Sequence, residues 1–283
     1  MKIFIIVCFV ILFLNSCKTI QLQRENFFDA PTNKIRLFES QNFSENHLTY
    51  ETKRITVSNS IKVETRIIST KSPENCFFFF TPSSNNIGIF EEIMEKVALQ
   101  TNSKTIGIQY RGFNFSDGVP NFDSSFKDNE IIYEKFRDEF KKYKTINFVG
   151  LSIGTVFAPK LAAAHQPEVN NLILMSTFSS PEVMLKGLKS SFPSFIRPFI
   201  KLKADKKLFD LNNVILLDNY KNGLLIIQAK DDKETNYMMA EELFNRVDTN
   251  KKELMTLENG GHFAPFSKRY TDSVVNRIVN FIK

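Results

Sequence analysis

The sequence predicts an α/β fold: a mostly parallel central sheet with helices on both faces, an N-terminal antiparallel hairpin and a helical lid insertion. Three observations predict this class. Continuous apolar runs alternate with amphipathic helical patterns through most of the 283 residues. An alternating apolar and polar pattern precedes them, and a single long connection interrupts the alternation.

The first residues are typical of an exported protein. A lysine at position 2 precedes an apolar run from Ile3 to Leu14, which is too short to span a bilayer and fits a secretory signal. Leu14-Asn15-Ser16-Cys17 resembles the bacterial lipobox, in which the cysteine is acylated and becomes the new N-terminus. We therefore predict a lipoprotein signal peptide over residues 1–16 and lipidation at Cys17. An uncleaved N-terminal anchor is the alternative, and either form tethers the chain to a membrane.

Composition excludes several other classes of protein. The formal net charge is +6, but the positive residues are scattered along the chain, whereas a nucleic-acid site concentrates them on one face. After processing at Cys17, Cys76 has no intramolecular partner, so no disulfide framework is expected. We expect a bacterial cell-envelope protein without a nucleic-acid partner. Lys18 supplies no acidic retention signal after the cysteine, which favours the outer membrane.

The segment 17–45 is polar without a sustained period, and we interpret it as a tether that precedes a domain at 46–283. The domain opens with apolar residues that alternate on both sides of the turn Ser58–Ser60, which predicts the hairpin. Six apolar runs then predict buried strands: Cys76–Phe80, Thr105–Tyr110, Thr145–Leu151, Val169–Met175, Leu224–Ala229 and Lys252–Leu257. Helical spacing predicts helices at Ile87–Gln100, Phe126–Tyr143, Thr155–His165, Met238–Val247 and Tyr270–Ile282.

The connection 178–222 carries three prolines and only short helical patterns, around Met184–Leu188 and Lys206–Tyr220. A connection of this length is either functional or a small subdomain. We interpret it as a lid over the carboxyl end of the sheet. The alternative is a helical excursion that packs away from the functional site.

A candidate nucleophile lies where one predicted strand meets a helix. Gly150-Leu151-Ser152-Ile153-Gly154 follows the strand and precedes an alanine-rich helical pattern. Strand, tight turn and helix form the context in which Gly-x-Ser-x-Gly indicates a nucleophile elbow. The flanking residues are small because strand and helix approach closely there. We therefore predict that Ser152 is a nucleophile.

A serine nucleophile needs a base and an acid that orients this base. The chain has three histidines, and only His262 lies in a glycine-flanked loop after a predicted strand. His262 is therefore the expected base. The loop after the penultimate strand carries Asp231 and Asp232, and either carboxylate can serve as the acid.

The order Ser152, Asp232, His262 resembles that of the α/β-hydrolase superfamily, over nearly everything after residue 50. Tyr110–Gly118 is similar to a stretch in serine aminopeptidase-like and monoglyceride-lipase-like members, and Gly260–Phe263 is similar to the family's Gly-x-His-x. The resemblance implies the α/β-hydrolase fold and a Ser-His-Asp triad. The family usually has Gly-x-x-Asp after the penultimate strand, and alignment of Ala229 with that glycine assigns the acid role to Asp232.

One loop departs from the family pattern. Many members carry His-Gly after the first parallel strand, and the following backbone N–H completes the oxyanion hole. This chain has Thr81-Pro82-Ser83, and proline has no N–H to donate. We expect the oxyanion to be held by the backbone N–H groups of Ser83 and Ile153.

These observations predict a membrane-anchored serine hydrolase that cleaves carboxylic esters through an acyl-enzyme. The expected substrate is a small-molecule ester or a lipid-like ester, and no metal or organic cofactor is implied. A peptidase or amidase of the serine aminopeptidase type is one alternative, although the sequence offers no visible acidic site for a free amino terminus. A catalytically silent, hydrolase-like binding lipoprotein is the other, and it is suggested by Pro82.

Overall fold

A computed structural model of the chain describes residues 18–28, 42–43, 47–83 and 87–283, so the predicted signal peptide and Cys17 lie outside it. Its strands are Lys18–Leu22 (β1), Asn42–Phe43 (β2), Leu48–Thr56 (β3), Lys62–Thr70 (β4), Asn75–Phe80 (β5), Ser103–Ile108 (β6), Thr145–Leu151 (β7), Asn171–Met175 (β8), Ile200–Ala204 (β9), Gly223–Ala229 (β10) and Lys252–Leu257 (β11). Its α-helices are Ile87–Thr101 (α1), Phe122–Arg137 (α2), Gly154–Ala164 (α3), Pro181–Ser191 (α4), Asn213–Leu216 (α5), Tyr237–Arg246 (α6) and Thr271–Ile282 (α7).

A nine-stranded sheet in the order β11-β10-β8-β7-β5-β6-β4-β3-β2 forms the centre of the described part of the chain. The strands from β11 to β6 run parallel to one another. Strands β4, β3 and β2 continue the sheet in antiparallel pairing. The predicted class, with a mostly parallel sheet and an antiparallel hairpin at one edge, is confirmed.

The phenylalanines of β5 show how both faces of the sheet are covered. Because successive side chains of a strand point to opposite faces, Phe77 and Phe79 join the core beneath α1 and α7. Phe78 and Phe80 join the other core, beneath α2 and α3. All four rings are fully buried, which explains why this strand reads as a continuous apolar run.

Helix α2 differs from its predicted bounds of Phe126–Tyr143. It begins at Phe122 because the side chain of Asn121 caps it, accepting the backbone N–H of Ser124 at 2.9 Å. It ends at Arg137, and a separate 3-10 turn follows at Phe140–Lys142. The cap residue is polar and lies outside the apolar periodicity, so periodicity alone places the start too late.

Residues 18–28, which we name the strap, lie within the predicted tether and pack against the domain. Their strand β1 pairs in parallel with β9, a strand within the insertion 178–222, from Lys18 opposite Ile200 to Leu22 opposite Ala204. The insertion is therefore not purely helical, and its predicted helical stretch Lys206–Tyr220 is reduced to a 3-10 helix and the short α5. Two five-residue strands this far apart in sequence leave no periodic signal that pairs them.

Two kinds of contact hold the strap. The guanidinium of Arg24 is buried and donates to both carboxylate oxygens of Asp123, at 3.0 and 2.7 Å, while its backbone N–H donates to Asp205 at 3.2 Å. The ring of Phe28 is also buried. It contacts four aromatic rings whose centroids lie 4.8 to 6.2 Å away, those of Tyr110, Phe113, Phe122 and Phe157.

We expect Phe28→Ala to lower the free energy of unfolding by about 3–5 kcal/mol, the usual cost of removing a buried phenyl ring. Phe195→Ala is the matched control because that ring is 74% exposed, and it should change the free energy by less than about 0.5 kcal/mol. Urea denaturation of both variants measures the difference. Equal, small effects would show that the ring of Phe28 contributes nothing to stability.

Within the described ranges, no helix combines the length and the apolar character needed to cross a bilayer.

Candidate active site

Ser152 lies at the sharp turn between β7 and α3, with a left-handed φ of 53°. Both neighbouring glycines are required by close backbone approach. A Cβ on Gly154 would lie 2.0 Å from the carbonyl oxygen of Phe80, and a Cβ on Gly150 would lie 2.6 Å from the carbonyl oxygen of Gly154. The turn therefore packs directly against the end of β5, next to the loop that starts at Thr81.

His262 follows β11 in a loop that two other residues fix in place. Gly260 and Gly261 adopt left-handed φ values of 112° and 65°, which glycine adopts without steric cost. The carboxylate of Asp231 accepts both of their backbone N–H groups, at 3.1 and 2.8 Å. The hydroxyl of Ser176 donates to the carbonyl oxygen of His262 at 2.6 Å.

The structure brings Ser152, His262 and Asp232 into one hydrogen-bonded line. The Nε2 atom of His262 lies 2.8 Å from the Oγ of Ser152, and its Nδ1 lies 3.0 Å from the Oδ2 of Asp232. Because an ionised carboxylate only accepts hydrogen bonds, Nδ1 carries the proton. The lone pair of Nε2 then faces the serine hydroxyl, which is the arrangement that removes its proton.

The surroundings of Asp232 keep its carboxyl ionised. Oδ2 also accepts the side-chain amide of Gln228 at 3.0 Å and the hydroxyl of Thr235 at 2.8 Å. Oδ1 accepts the backbone N–H groups of Glu234 and Thr235, at 2.9 and 3.0 Å. Burial alone would raise the pKa of Asp232, but the bonds from His262, Thr235 and Glu234 outweigh it and hold the pKa below its ordinary value.

The two neighbouring aspartates take different places. The side chain of Asp232 is fully buried beside the imidazole, whereas Asp231 is exposed and holds the glycines of the His262 loop. The backbone N–H groups of Gly261 and Gly260 lower the pKa of Asp231. Asp231 therefore stabilises the loop that carries His262. The sequence did not predict this role for Asp231.

A cavity of about 250 Å³ opens above Ser152 and His262. It is lined by Phe27, Ser83, Phe122, Ser152, Ile153, Val156, Phe178, Met184, Leu208, Leu211, Glu234, Thr235, Met239 and His262. Most of its wall is apolar, and four of these side chains belong to the insertion 178–222. The insertion therefore covers the carboxyl end of the sheet. Phe27 of the strap completes the wall.

The two residues expected to hold the oxyanion, Ser83 and Ile153, both line this cavity. The backbone N–H of Ser152 itself donates to the carbonyl oxygen of Met175 at 3.1 Å, so it is not available to a substrate. The loop before Ser83 is held at Thr81: the carbonyl oxygen of Thr81 accepts the hydroxyl of Tyr110 at 2.7 Å. The Thr81 hydroxyl in turn donates to the carbonyl oxygen of Ile108 at 2.8 Å.

Only Ser83, Ser152, Ile153 and His262 of the cavity wall were predicted from the sequence as site residues. Phe27, Glu234 and Thr235 are among those that were not. Phe27 lies in the segment interpreted as a tether, and nothing in its local pattern marks it. Glu234 and Thr235 follow the acid by two and three residues, and a turn around a buried carboxylate would have predicted their backbone contacts with Asp232. Glu234 also supplies an acidic group at the site, which the sequence reasoning did not find.

One group of side chains has the geometry to hold a metal ion, among the residues that the structure describes. The ligand atoms of Glu130, Glu134 and His165 lie within 4.8 Å of one another, on α2 and just after α3. None of the three lines the cavity. The position of His165 is explained by its 2.7 Å contact with Glu130 and by the ring of Tyr133, 4.3 Å away between centroids.

Comparison with known proteins points to one fold. Residues 83–211 match the family described as alpha/beta hydrolase fold. The chain is similar to the structure of a Pyrococcus furiosus esterase, with a TM-score of 0.64 and 16% identity over 88% of this chain and 96% of that one. Mouse alpha/beta hydrolase domain-containing protein 10 gives a TM-score of 0.63 and 15% identity over 82% and 98% of the two chains. A serine hydrolase from Cycloclasticus zankles gives 0.59 and 16%, over 82% and 98%.

These matches, together with the sheet order and the turn at Ser152, define an α/β-hydrolase fold. The α/β-hydrolase fold that the resemblance implied is thereby confirmed.

Proposed function

We propose that this protein is a membrane-anchored serine hydrolase that cleaves carboxylic esters through an acyl-enzyme. One observation carries the proposal: Ser152, His262 and Asp232 form a hydrogen-bonded line at the base of an apolar cavity. A serine hydroxyl is a weak nucleophile until an adjacent base takes its proton. Here the base lies within hydrogen-bond distance, and the buried carboxylate fixes its tautomer.

The chemistry proceeds in two halves. Nε2 of His262 takes the hydroxyl proton as the Oγ of Ser152 attacks the ester carbonyl, giving a tetrahedral oxyanion. The protonated Nε2 then gives this proton to the leaving alkoxide, which departs as an alcohol and leaves an acyl group on Ser152. In the second half, His262 deprotonates water, which attacks the acyl carbonyl, and Ser152 recovers its proton as the carboxylic acid leaves.

The cavity wall favours an ester whose acyl part is apolar. Phe122, Phe178 and Met184 bring apolar side chains to the space beside Ser152, and burial of a methylene group in such a space contributes about 0.8 kcal/mol. The backbone N–H groups of Ile153 and Ser83 are the proposed donors to the oxyanion, and each such donor contributes about 3 kcal/mol to transition-state stabilisation.

A fluorophosphonate probe tests the proposal, since it reacts covalently with activated serines. The wild-type protein should be labelled and Ser152→Ala should not. Ser273→Ala, which removes an exposed serine on α7, is the matched control and should be labelled normally. A folded wild-type protein that takes up no label, as judged by circular dichroism on the same sample, would exclude a serine hydrolase.

Membrane anchoring is proposed from the lipobox resemblance at Leu14–Cys17. Cells supplied with an alkyne fatty acid should incorporate it into the wild-type protein, and Cys17→Ala should lose the label and leave the membrane fraction. Cys76→Ala is the control because that buried cysteine lies in β5, and it should keep the label. Labelling that persists in Cys17→Ala would contradict the anchor site.

A further inference from the structure

Glu234 is placed at the mouth of the cavity by the same loop that holds the catalytic acid. The backbone N–H of Glu234 donates to Oδ1 of Asp232 at 2.9 Å, and the N–H of Thr235 donates to the same atom at 3.0 Å. The hydroxyl of Thr235 binds the other carboxylate oxygen. Because the loop wraps around a buried carboxylate, the backbone position of Glu234 is fixed relative to the triad.

The side chain of Glu234 points back towards the reaction centre. Its Oε2 lies 3.6 Å from Nε2 of His262, and the side chain is 67% exposed. That separation is too long for a hydrogen bond, so Nε2 remains directed at Ser152. Within the described residues, no lysine or arginine forms an ion pair with Glu234, and none lines the cavity. The mouth therefore carries one unneutralised negative charge.

The proton path decides which part of a substrate meets this charge. During acylation, Nε2 donates its proton to the oxygen of the leaving alcohol, so this oxygen must lie within hydrogen-bond distance of Nε2. The alcohol part of the ester then passes beside Oε2 of Glu234. The acyl part then lies against the apolar residues of the wall, such as Phe122, Phe178 and Met184.

We propose that Glu234 is a specificity-determining residue that selects esters whose alcohol part carries a cationic group. The inference rests on the proposed ester hydrolysis and names the substrate class of that site. Two opposite charges about 4 Å apart in water attract enough to change a rate or a binding constant about fivefold. The side chain is mostly solvent-exposed, so the aqueous value applies, and the preference should weaken as salt is added.

Two esters of the same acid test the proposal with matched shapes. A choline ester and a 3,3-dimethylbutyl ester differ only in having nitrogen or carbon at the branched centre, so the ratio of their kcat/KM values isolates the charge. The kcat/KM for the choline ester divided by that for the 3,3-dimethylbutyl ester should be about fivefold higher in the full-length wild type than in Glu234→Gln. Glu241 is an exposed glutamate on α6 outside the cavity, so Glu241→Gln should keep the wild-type ratio. Salt at about 0.5 M should reduce the ratio of the wild type.

The measurements distinguish the absence of a role for Glu234 from the absence of ester hydrolysis. Equal ratios in wild type and Glu234→Gln, with both esters turned over, would overturn the role of Glu234 alone. If no variant hydrolyses either ester, binding to Ser152→Ala decides: the affinity for choline divided by that for 3,3-dimethylbutanol should be about fivefold higher than in the same background with Glu234→Gln. Equal ratios in the two backgrounds would overturn the inference as well.

Discussion

Ser152→Ala should reduce kcat/KM for a p-nitrophenyl ester by about 10⁴-fold or more, and His262→Ala should have an effect of the same size. Their atoms lie 2.8 Å apart and act on one proton, so the loss of either removes the activated nucleophile. For the same reason, the double variant should be no slower than the single variants beyond about twofold. Steady-state kinetics at neutral pH measures all three.

The control for these variants must show that the fold is intact. Both side chains lie at the cavity, and their alanine variants should retain the thermal unfolding of the wild type within a few degrees. A Ser152→Ala variant that hydrolyses the ester within tenfold of wild type, at about the same stability, would contradict a nucleophilic role for Ser152.

Asp232→Asn should reduce kcat/KM by about 10³- to 10⁴-fold, whereas Asp231→Asn should reduce it by only about fivefold. Asp232 accepts a hydrogen bond from the Nδ1–H group of His262 within a fully buried network. An amide there no longer carries the charge that stabilises the imidazolium, and its NH2 group can favour the wrong tautomer. Asp231 acts one step away, through the backbone of Gly260 and Gly261.

The two variants form a matched pair because the same isosteric change is made at adjacent positions. Their kinetics should be compared with a neutral ester, so that the change in charge near the mouth does not affect substrate binding. A larger loss for Asp231→Asn than for Asp232→Asn would reverse the assignment of the acid.

Much of the fold can be predicted from local patterns of this sequence. The strand Cys76–Phe80 is predicted almost to its observed bounds because both of its faces are buried and every side chain is apolar. The turn at Ser152 can also be predicted, because close backbone approach requires glycine at both flanking positions. Glycine flanking likewise marks His262, the histidine that the fold brings to the serine.

The features that escaped prediction depend on contacts between distant parts of the chain. The pairing of β1 with β9 joins segments about 180 residues apart, and each strand is too short to show a period. The place of Phe27 in the cavity wall follows from that pairing. Residue types alone left Asp231 and Asp232 open, because they do not reveal which side chain turns inward, and only the resemblance to the family's Gly-x-x-Asp pattern favoured Asp232, the residue that lies beside His262. Glu234 reaches the site only because its loop folds around Asp232.

The most direct test of the account is to locate the acyl group during turnover. The wild-type protein, mixed with excess p-nitrophenyl ester, quenched in acid and digested, should carry the acyl mass on the peptide that contains Ser152. Rapid mixing should show a burst of about one p-nitrophenol per enzyme molecule when deacylation is slower than acylation. Acyl mass on another residue, or a burst with no acyl mass on the peptide that contains Ser152, would contradict the proposed nucleophile.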